Sequence, residues 1–411
     1  MYPEAAMSET LEVVGGGGVT SAKGFTAGAA PARMRLDWDK PDVALLYSEA
    51  PCAAAGVFTR CKVVAAPVVI TRKHLADGRV QAVVANSGCA NAATGEQGLA
   101  DAVAMAQLAG AKLGLDPHAV VVASTGVIGT FLAMDRMRQG IEAVELSPDG
   151  GPAFAQGIMT TDTRPKQSAV RFGQYTLGGA CKGAGMIHPN MATMLAFVTT
   201  DAPVAAPFLS RALKEAVDVS FNMIDVDSDT STNDMVVVLA NGLAGGDEIR
   251  DGHPLAPTFA AALTHVCTDL AQQIVADAEG GTKVIEATAT GAASAQDARL
   301  APREVVRSLA VKTAVYGHDP NWGRVLAAVG NSGCQMEEAK TALWLVDAGG
   351  RELCLLKDGS PQPLAEGVAK PYFEAKEVRF RVDLGLGGHS AVAWGSDLTE
   401  EYVRLNSMYT T

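Results

Sequence analysis

Short apolar runs alternate along the chain with longer segments whose apolar residues recur at helical spacing. "VQAVVAN" (80–86) and "AVVVAS" (119–124) are apolar, β-branched and closed by polar residues, which predicts buried strands. Between them "GLADAVAMAQLAGAKLG" (98–114) is rich in Ala and Leu and predicts a helix stopped at Gly114. "PFLSRALKEAVDVSF" (207–221) puts Leu209, Leu213, Ala216, Val217 and Phe221 on one helical face. "FAAALTHVCTDLAQQIVADA" (259–278) does the same with Leu263, Val266, Leu270 and Ile274, and Gly280-Gly281 end it. "DMVVVLAN", "TKVIEATAT" and "VRFRVDLGLG" read as strands, the last alternating at Val378, Phe380, Val382 and Leu384. Strands and helices mix in both halves, so the fold class is α/β or mixed α+β.

The pattern changes abruptly in "KGAGMIHPNMATMLAFVTTDA" (182–202). Lys182 to Asn190 has the composition of an irregular loop, whereas Met194 to Thr200 reads as a buried strand with Thr193 at its head. A hydroxyl there can attack the carbonyl of Ala192 and move the acyl group from nitrogen to oxygen. Water then opens the ester and leaves Thr193 with a free α-amine. That amine, with an ordinary pKa of about 7.7–8.0, is a general base attached to its own nucleophile. The chemistry needs a small preceding residue, an uncrowded loop and an oxyanion hole. Ala192 and the loop composition meet the first two needs. "VVASTGVIG" (121–129) is a candidate for the third, with Thr125 and Gly126 just past a strand's end, although a plain strand-to-helix turn is the simpler reading of those residues alone.

Bulk properties narrow the class. At 411 residues, two or three domains or lobes are expected. Hydrophobic residues at 48% with 19% charged describe a globular chain, not a disordered one. A net charge of −12 argues against a nucleic-acid partner, and no apolar run approaches the length of about 18 that crosses a bilayer. The start carries Glu4, Glu9 and Glu12 and no base before Lys23, the reverse of a targeting peptide. Seven scattered cysteines without a Cys-x-x-Cys pair support neither a disulfide framework nor a zinc site, and suggest a reducing cytoplasm. The tract "GGGG" (15–18) lacks a Gly-Lys-Ser/Thr ending and reads as flexible chain after a frayed start.

Other features have bland readings. "DVDSDTSTND" (225–234) opens like a calcium loop but has Thr230 and Val236 where Gly and Glu are needed, so a polar turn is expected. His188 reads as a solvated loop histidine. "YGHDPNWGR" (316–324), with His318, Asp319, Trp322 and Arg324, either lines a pocket or is a hydrogen-bonded structural loop. The echo of Asn-Ser-Gly-Cys at 86–89 and 331–334 is weak evidence of duplication.

Five motifs in order, "ASTGVIG", "MTTDT", "KGAGMIHPNMATML", "EGGTKVIE" and "YGHDPNWGR", closely resemble the ornithine acetyltransferase family, over about residue 20 to Thr411. The resemblance implies a layered α/β/β/α fold and self-cleavage between Ala192 and Thr193. The products are an α chain of residues 1–192 and a β chain of 193–411, two of each assembling into a heterotetramer in the cytoplasm. It implies transfer of acetyl from N-acetylornithine to glutamate through acetyl-Thr193, a step of arginine biosynthesis, with no cofactor or metal. Use of acetyl-CoA as a second donor is left open. By motif the nucleophile falls on Thr193 and the oxyanion pair on Thr125 and Gly126. Substrate-binding positions fall on Thr160, Lys182, Thr193, Glu279, Asn406 and Thr411. The alternatives are an aminopeptidase or amidase using the same self-generated nucleophile, and an uncleaved amino-acid-binding protein.

Overall fold

The computed structural model describes residues 11–36, 38–188 and 194–408. Ala192, Thr193 and Thr411 therefore lie outside the described residues.

Strand alternation is the organising fact. Among the described residues a nine-stranded sheet runs Leu11–Val13, Lys166–Phe172, Tyr175–Lys182, Leu195–Thr200, Met235–Ala240, Val43–Phe58, Arg79–Asn86, Val120–Ser124, with Phe25–Ala30 also on Val43–Phe58. The long strand Val43–Phe58 joins two half-sheets. Its first part pairs with Phe25–Ala30 and Arg79–Asn86, and Ala53–Phe58 pairs with Met235–Ala240. The register against Arg79–Asn86 slips between Tyr47 and Cys52, where a bulge bends a strand.

The half-sheets pack face to face. Ala44, Leu46, Val83, Ala85, Val121 and Ala123 from one share a core with Leu195, Phe197, Met235, Val237 and Leu239 from the other. The alternate residues face outward: Val43, Leu45, Val84 and Val122 pack with Met105, Ala106 and Ile141 of helices Gly95–Leu113 and Met134–Ala143. On the opposite side Ala196, Val198, Val236 and Val238 pack with Leu209, Leu213, Phe259 and Leu263 of helices Ala206–Asp218 and Ala256–Ala276. Helix, sheet, sheet, helix is the expected layered order. A seven-stranded sheet, counted among the described residues, runs Ser360–Pro361, Glu352–Lys357, Ala342–Val346, Glu377–Asp383, Val284–Ala292, His389–Ser396, Ile224–Asp225. Its Ile285, Ala287 and Ala289 pack on Ala298, Ala301 and Val305 of helix Ala295–Arg307.

The structure corrects one expectation and decides one open reading. The second half of the glycine tract is packed chain, since Gly18 and Val19 are buried while Gly15 and Gly16 are exposed, and Leu11–Val13 before it pairs with Lys166–Phe172. A Cβ on Gly17 would sit 2.6 Å from Ala169 Cβ, so glycine at that position serves close approach and not looseness. The Asn-Ser-Gly-Cys echo is not a structural repeat: Asn86 ends a strand and Asn331 ends helix Gly323–Asn331. No helix among the described residues is long and apolar enough to cross a membrane.

Phe197 lies between the half-sheets, fully buried, edge-on to Phe154 at 5.5 Å. Phe197→Ala is expected to lose about 3–5 kcal/mol of stability, read as a lower urea midpoint at unchanged slope.

Candidate active site

Strand Val120–Ser124 delivers Thr125 and Gly126 at its C-terminal end. The Thr125 N–H donates to Asn86 O at 3.0 Å, which docks the turn on the neighbouring strand. Gly126 has φ +135°, and a Cβ there would lie 2.3 Å from the Gly88 carbonyl carbon, so no other residue fits without movement. Among the described residues the Gly126 N–H has no hydrogen-bond partner.

Lys182 ends strand Tyr175–Lys182 of the other half-sheet and is buried. Its Nζ donates to Thr125 Oγ1 at 3.2 Å, leaving the Thr125 hydroxyl hydrogen available for another acceptor. Burial pushes the Lys182 ammonium below its ordinary value, while Asp162 opposes the shift.

Asp162, which stands inside "MTTDT" but was not singled out there, is a buried carboxylate behind the cavity wall. Its side chain is 0% exposed. It accepts from Lys166 Nζ at 2.6 Å, from the Gly183 N–H at 2.7 Å and from the Thr160 N–H at 3.0 Å. Burial alone would raise its pKa. The Lys182 and Lys166 ammonium groups, with the Gly183 N–H, outweigh burial and hold it at about 2. Lys166 also donates to Asp277 Oδ2 at 2.6 Å.

On the far wall, Glu279 follows helix Ala256–Ala276 and its N–H donates to Ala184 O at 2.9 Å. Asn406, on helix Glu400–Ser407, donates from Nδ2 to Glu279 Oε2 at 2.8 Å. Thr399 caps that helix and ties it to Gly280 O at 2.7 Å. Thr125, Gly126, Thr160, Lys182, Glu279 and Asn406 all line one small cavity of about 110 Å³. All six described site candidates thus converge, though they span 125 to 406 in sequence. A larger hollow of about 710 Å³, bordered by Arg351, Tyr372 and Arg379, contains none of them.

The acidic run 225–234 is more than a polar turn. Asp227 accepts from the Met186 N–H at 2.5 Å, the Ile187 N–H at 2.9 Å and the Tyr402 hydroxyl at 3.1 Å. Burial, partly offset by these donors, raises its pKa to about 6. His188 is not a solvated loop histidine: its ring is 16% exposed and Nδ1 sits 2.9 Å from the buried Asp225 Oδ2. Asp234 Oδ1 accepts from the Met194 N–H at 3.0 Å. These carboxylates bind chain; no metal-holding cluster of His, Cys, Asp or Glu occurs among the described residues. The loop 316–324 resolves as structural, with Arg324 Nη1 on Ala310 O at 2.8 Å and none of its residues on the cavity.

Hydroxyl and N–H donors facing a buried cation, with a carboxylate and an amide opposite, suit an acyl-transfer enzyme acting on an amino acid. The chain belongs to the ArgJ family, whose model matches residues 26–411. It is 54% identical over 402 residues to the arginine biosynthesis bifunctional protein ArgJ of Symbiobacterium thermophilum, covering 96% of this chain and 99% of that protein. The protein of the same name from Bacillus subtilis is 44% identical over 410 residues, covering 98% of this chain and 99% of its own. Among solved structures, ornithine acetyltransferase complexed with ornithine from Mycobacterium tuberculosis is 42% identical. That match covers 44% of this chain and 99% of the solved one, with a TM-score of 0.42. The acetyltransferase expectation raised by the motifs stands with this membership.

Asp162→Asn would leave the buried Lys166 ammonium with Asp277 alone and deprive buried Lys182 of the charge that most opposes its desolvation. The expected cost is about 3–5 kcal/mol, read by urea unfolding at neutral pH. Acid tests the same group in the wild type. Because the folded pKa is held below its ordinary 3.8, the stability it contributes is complete above that value and is lost as pH falls toward about 2.

Proposed function

We propose that this chain cuts itself between Ala192 and Thr193 and then moves acetyl from N-acetylornithine to glutamate through an acetyl ester on Thr193. The convergence of Thr125, Gly126, Thr160, Lys182, Glu279 and Asn406 on one cavity carries the reading. The strand that follows position 193 begins at Leu195 and pairs along Lys182–Leu195 with the strand that ends in Lys182. Sequence position 193 is thus two residues from a point held beside the cavity's buried cation.

In this mechanism the Thr193 α-amine takes the hydroxyl proton as oxygen attacks the acetyl carbonyl of the donor. Negative charge on the carbonyl oxygen is met by the Thr125 hydroxyl and the Gly126 N–H, both with hydrogens to give. The amine then protonates the departing nitrogen of ornithine. Glutamate enters the same pocket, its amine attacks the ester, and Thr193 is regenerated. Lys182 neutralises substrate carboxylate, and Glu279, steadied by Asn406, faces the substrate's ammonium group. Thr160 orients the acyl amide, and Thr411 is a further substrate-binding position.

The fragments 1–192 and 193–411 are the working α and β chains, two of each per molecule, in the cytoplasm. With acetyl-CoA as donor, the same acetyl ester would form on Thr193 as coenzyme A departs as its thiol. Hydrolysis of acetylornithine with no acetylglutamate formed would instead define an amidase.

Thr193→Ala should remain a single chain of 411 residues without transferase activity, while wild-type N-terminal sequencing should find a fragment beginning Thr-Met-Leu. Cutting in the alanine variant would refute the mechanism. Thr125→Ala should lower kcat by about 10²–10³-fold, the usual loss for one oxyanion donor. An increase in KM alone would make Thr125 a binding residue.

A further inference from the structure

One short loop links the two halves of the proposed chemistry. Asn233 is buried, and its Nδ2 donates to Ser124 O at 2.8 Å and to Ala90 O at 2.6 Å. Ser124 is the residue before the Thr125–Gly126 turn. The next residue, Asp234, is 1% exposed and accepts the Met194 N–H on Oδ1 at 3.0 Å. That N–H belongs to the peptide group shared with residue 193. Main-chain bonds continue the grip, since the Met235 N–H donates to Met194 O at 3.1 Å.

The loop itself is fixed from beneath. Thr59 N–H donates to Asp234 O at 3.0 Å, Thr59 Oγ1 donates to Ser231 O at 2.6 Å, and the Ala65 N–H donates to Thr232 O at 2.9 Å. Ser231, Thr232 and Asn233 also line the cavity. We propose that Asn233 and Asp234 are positioning residues that jointly set the separation between the Thr125–Gly126 turn and Met194, the residue after the proposed nucleophile. The two side chains are adjacent in sequence, so one rigid dipeptide spans from the strand that ends at the oxyanion donors to the head of the strand that follows the nucleophile. Asp234 acts as a hydrogen-bond acceptor and transfers no proton. This rests on Thr193 being the nucleophile.

The test uses the full chain carrying Asp234→Asn, Asp234→Ala, Asp234→Glu or Asn233→Ala, each assayed for self-cutting and for kcat and KM per cut chain. Asp234→Asn keeps an acceptor of the same length and should cut and turn over within a few-fold of wild type. Asp234→Ala, Asn233→Ala and Asp234→Glu, which remove or displace a bond, should cut slowly and lose about 10²-fold in kcat, the scale of a 1 Å misplacement, with KM nearly unchanged. If Asp234→Ala or Asn233→Ala fails to fold, the Asp234→Glu and Asp234→Asn pair still decides. Wild-type kcat in Asp234→Glu, or in folded Asp234→Ala, overturns the proposal. So does an Asp234→Asn variant as impaired as the others, which would assign the role to the acid itself. An active wild type with no fragment beginning at Thr193 would overturn the underlying reading instead, a result visible before any variant is made.

Discussion

A carboxylate withdrawn from water must be matched by positive charge and N–H donors, or it will take up a proton. Asp162 meets that demand with Lys166 and the N–H groups of Thr160 and Gly183. Its partners come from different parts of the fold: the segment after helix Gly151–Gly157, a strand of the nine-stranded sheet and the turn that leaves Lys182. The arrangement of the cavity follows from this one satisfied charge. Thr160 is held on one side, and the chain turns at Gly183 just as Lys182 reaches Thr125. Lys166 reaches on to Asp277, which also accepts from the Thr163 side chain, and Glu279 lies two residues beyond. The binding wall and the cation therefore share one electrostatic anchor.

The layers were legible because their signal is local. Alternation at Ala196/Phe197/Val198 and Val236/Val237/Val238 sends successive residues to opposite cores, and the helices carry single apolar faces. Gly114, expected to stop its helix, does so in the left-handed conformation at φ 68°. The long strand Val43–Phe58 is a different matter. "SEAPC" in its middle looks like a break, and only pairing with two separate sets of neighbours keeps it extended.

The site was legible in part. Thr125, Gly126, Lys182 and Glu279 sit in recognisable motifs, but their convergence is a tertiary fact that no spacing encodes. The roles of Asp227 and Asp234 were hidden because their partners are mostly backbone N–H groups at distant positions, and an N–H leaves no trace in residue type. The run opens like a calcium loop, but Asp227 and Asp234 meet the N–H groups of Met186, Ile187 and Met194, and Asp225 meets His188 and the buried Lys312 ammonium at 3.2 Å. The glycine tract misled for a related reason. Gly18 looks like slack when its neighbours in space, Gln167 and Gly178, are unknown.

The order of strands in the large sheet has a consequence for how such a molecule is assembled. Met235–Ala240 lies between Leu195–Thr200 and Val43–Phe58, and Leu195–Thr200 itself pairs with Tyr175–Lys182. Two strands from after position 193 are thus inserted as a pair between strands from before it. A chain severed there would hold its pieces together by ladder hydrogen bonds and a shared core, with no surface along which they could simply slide apart. Once unfolded, however, the pieces would be separate molecules, and regaining the sheet would become a second-order reaction that slows on dilution. Severing such a fold converts a thermodynamic equilibrium into a one-way door: the fold must be complete before the cut, and the cut molecule keeps its shape chiefly through the slowness of its unfolding.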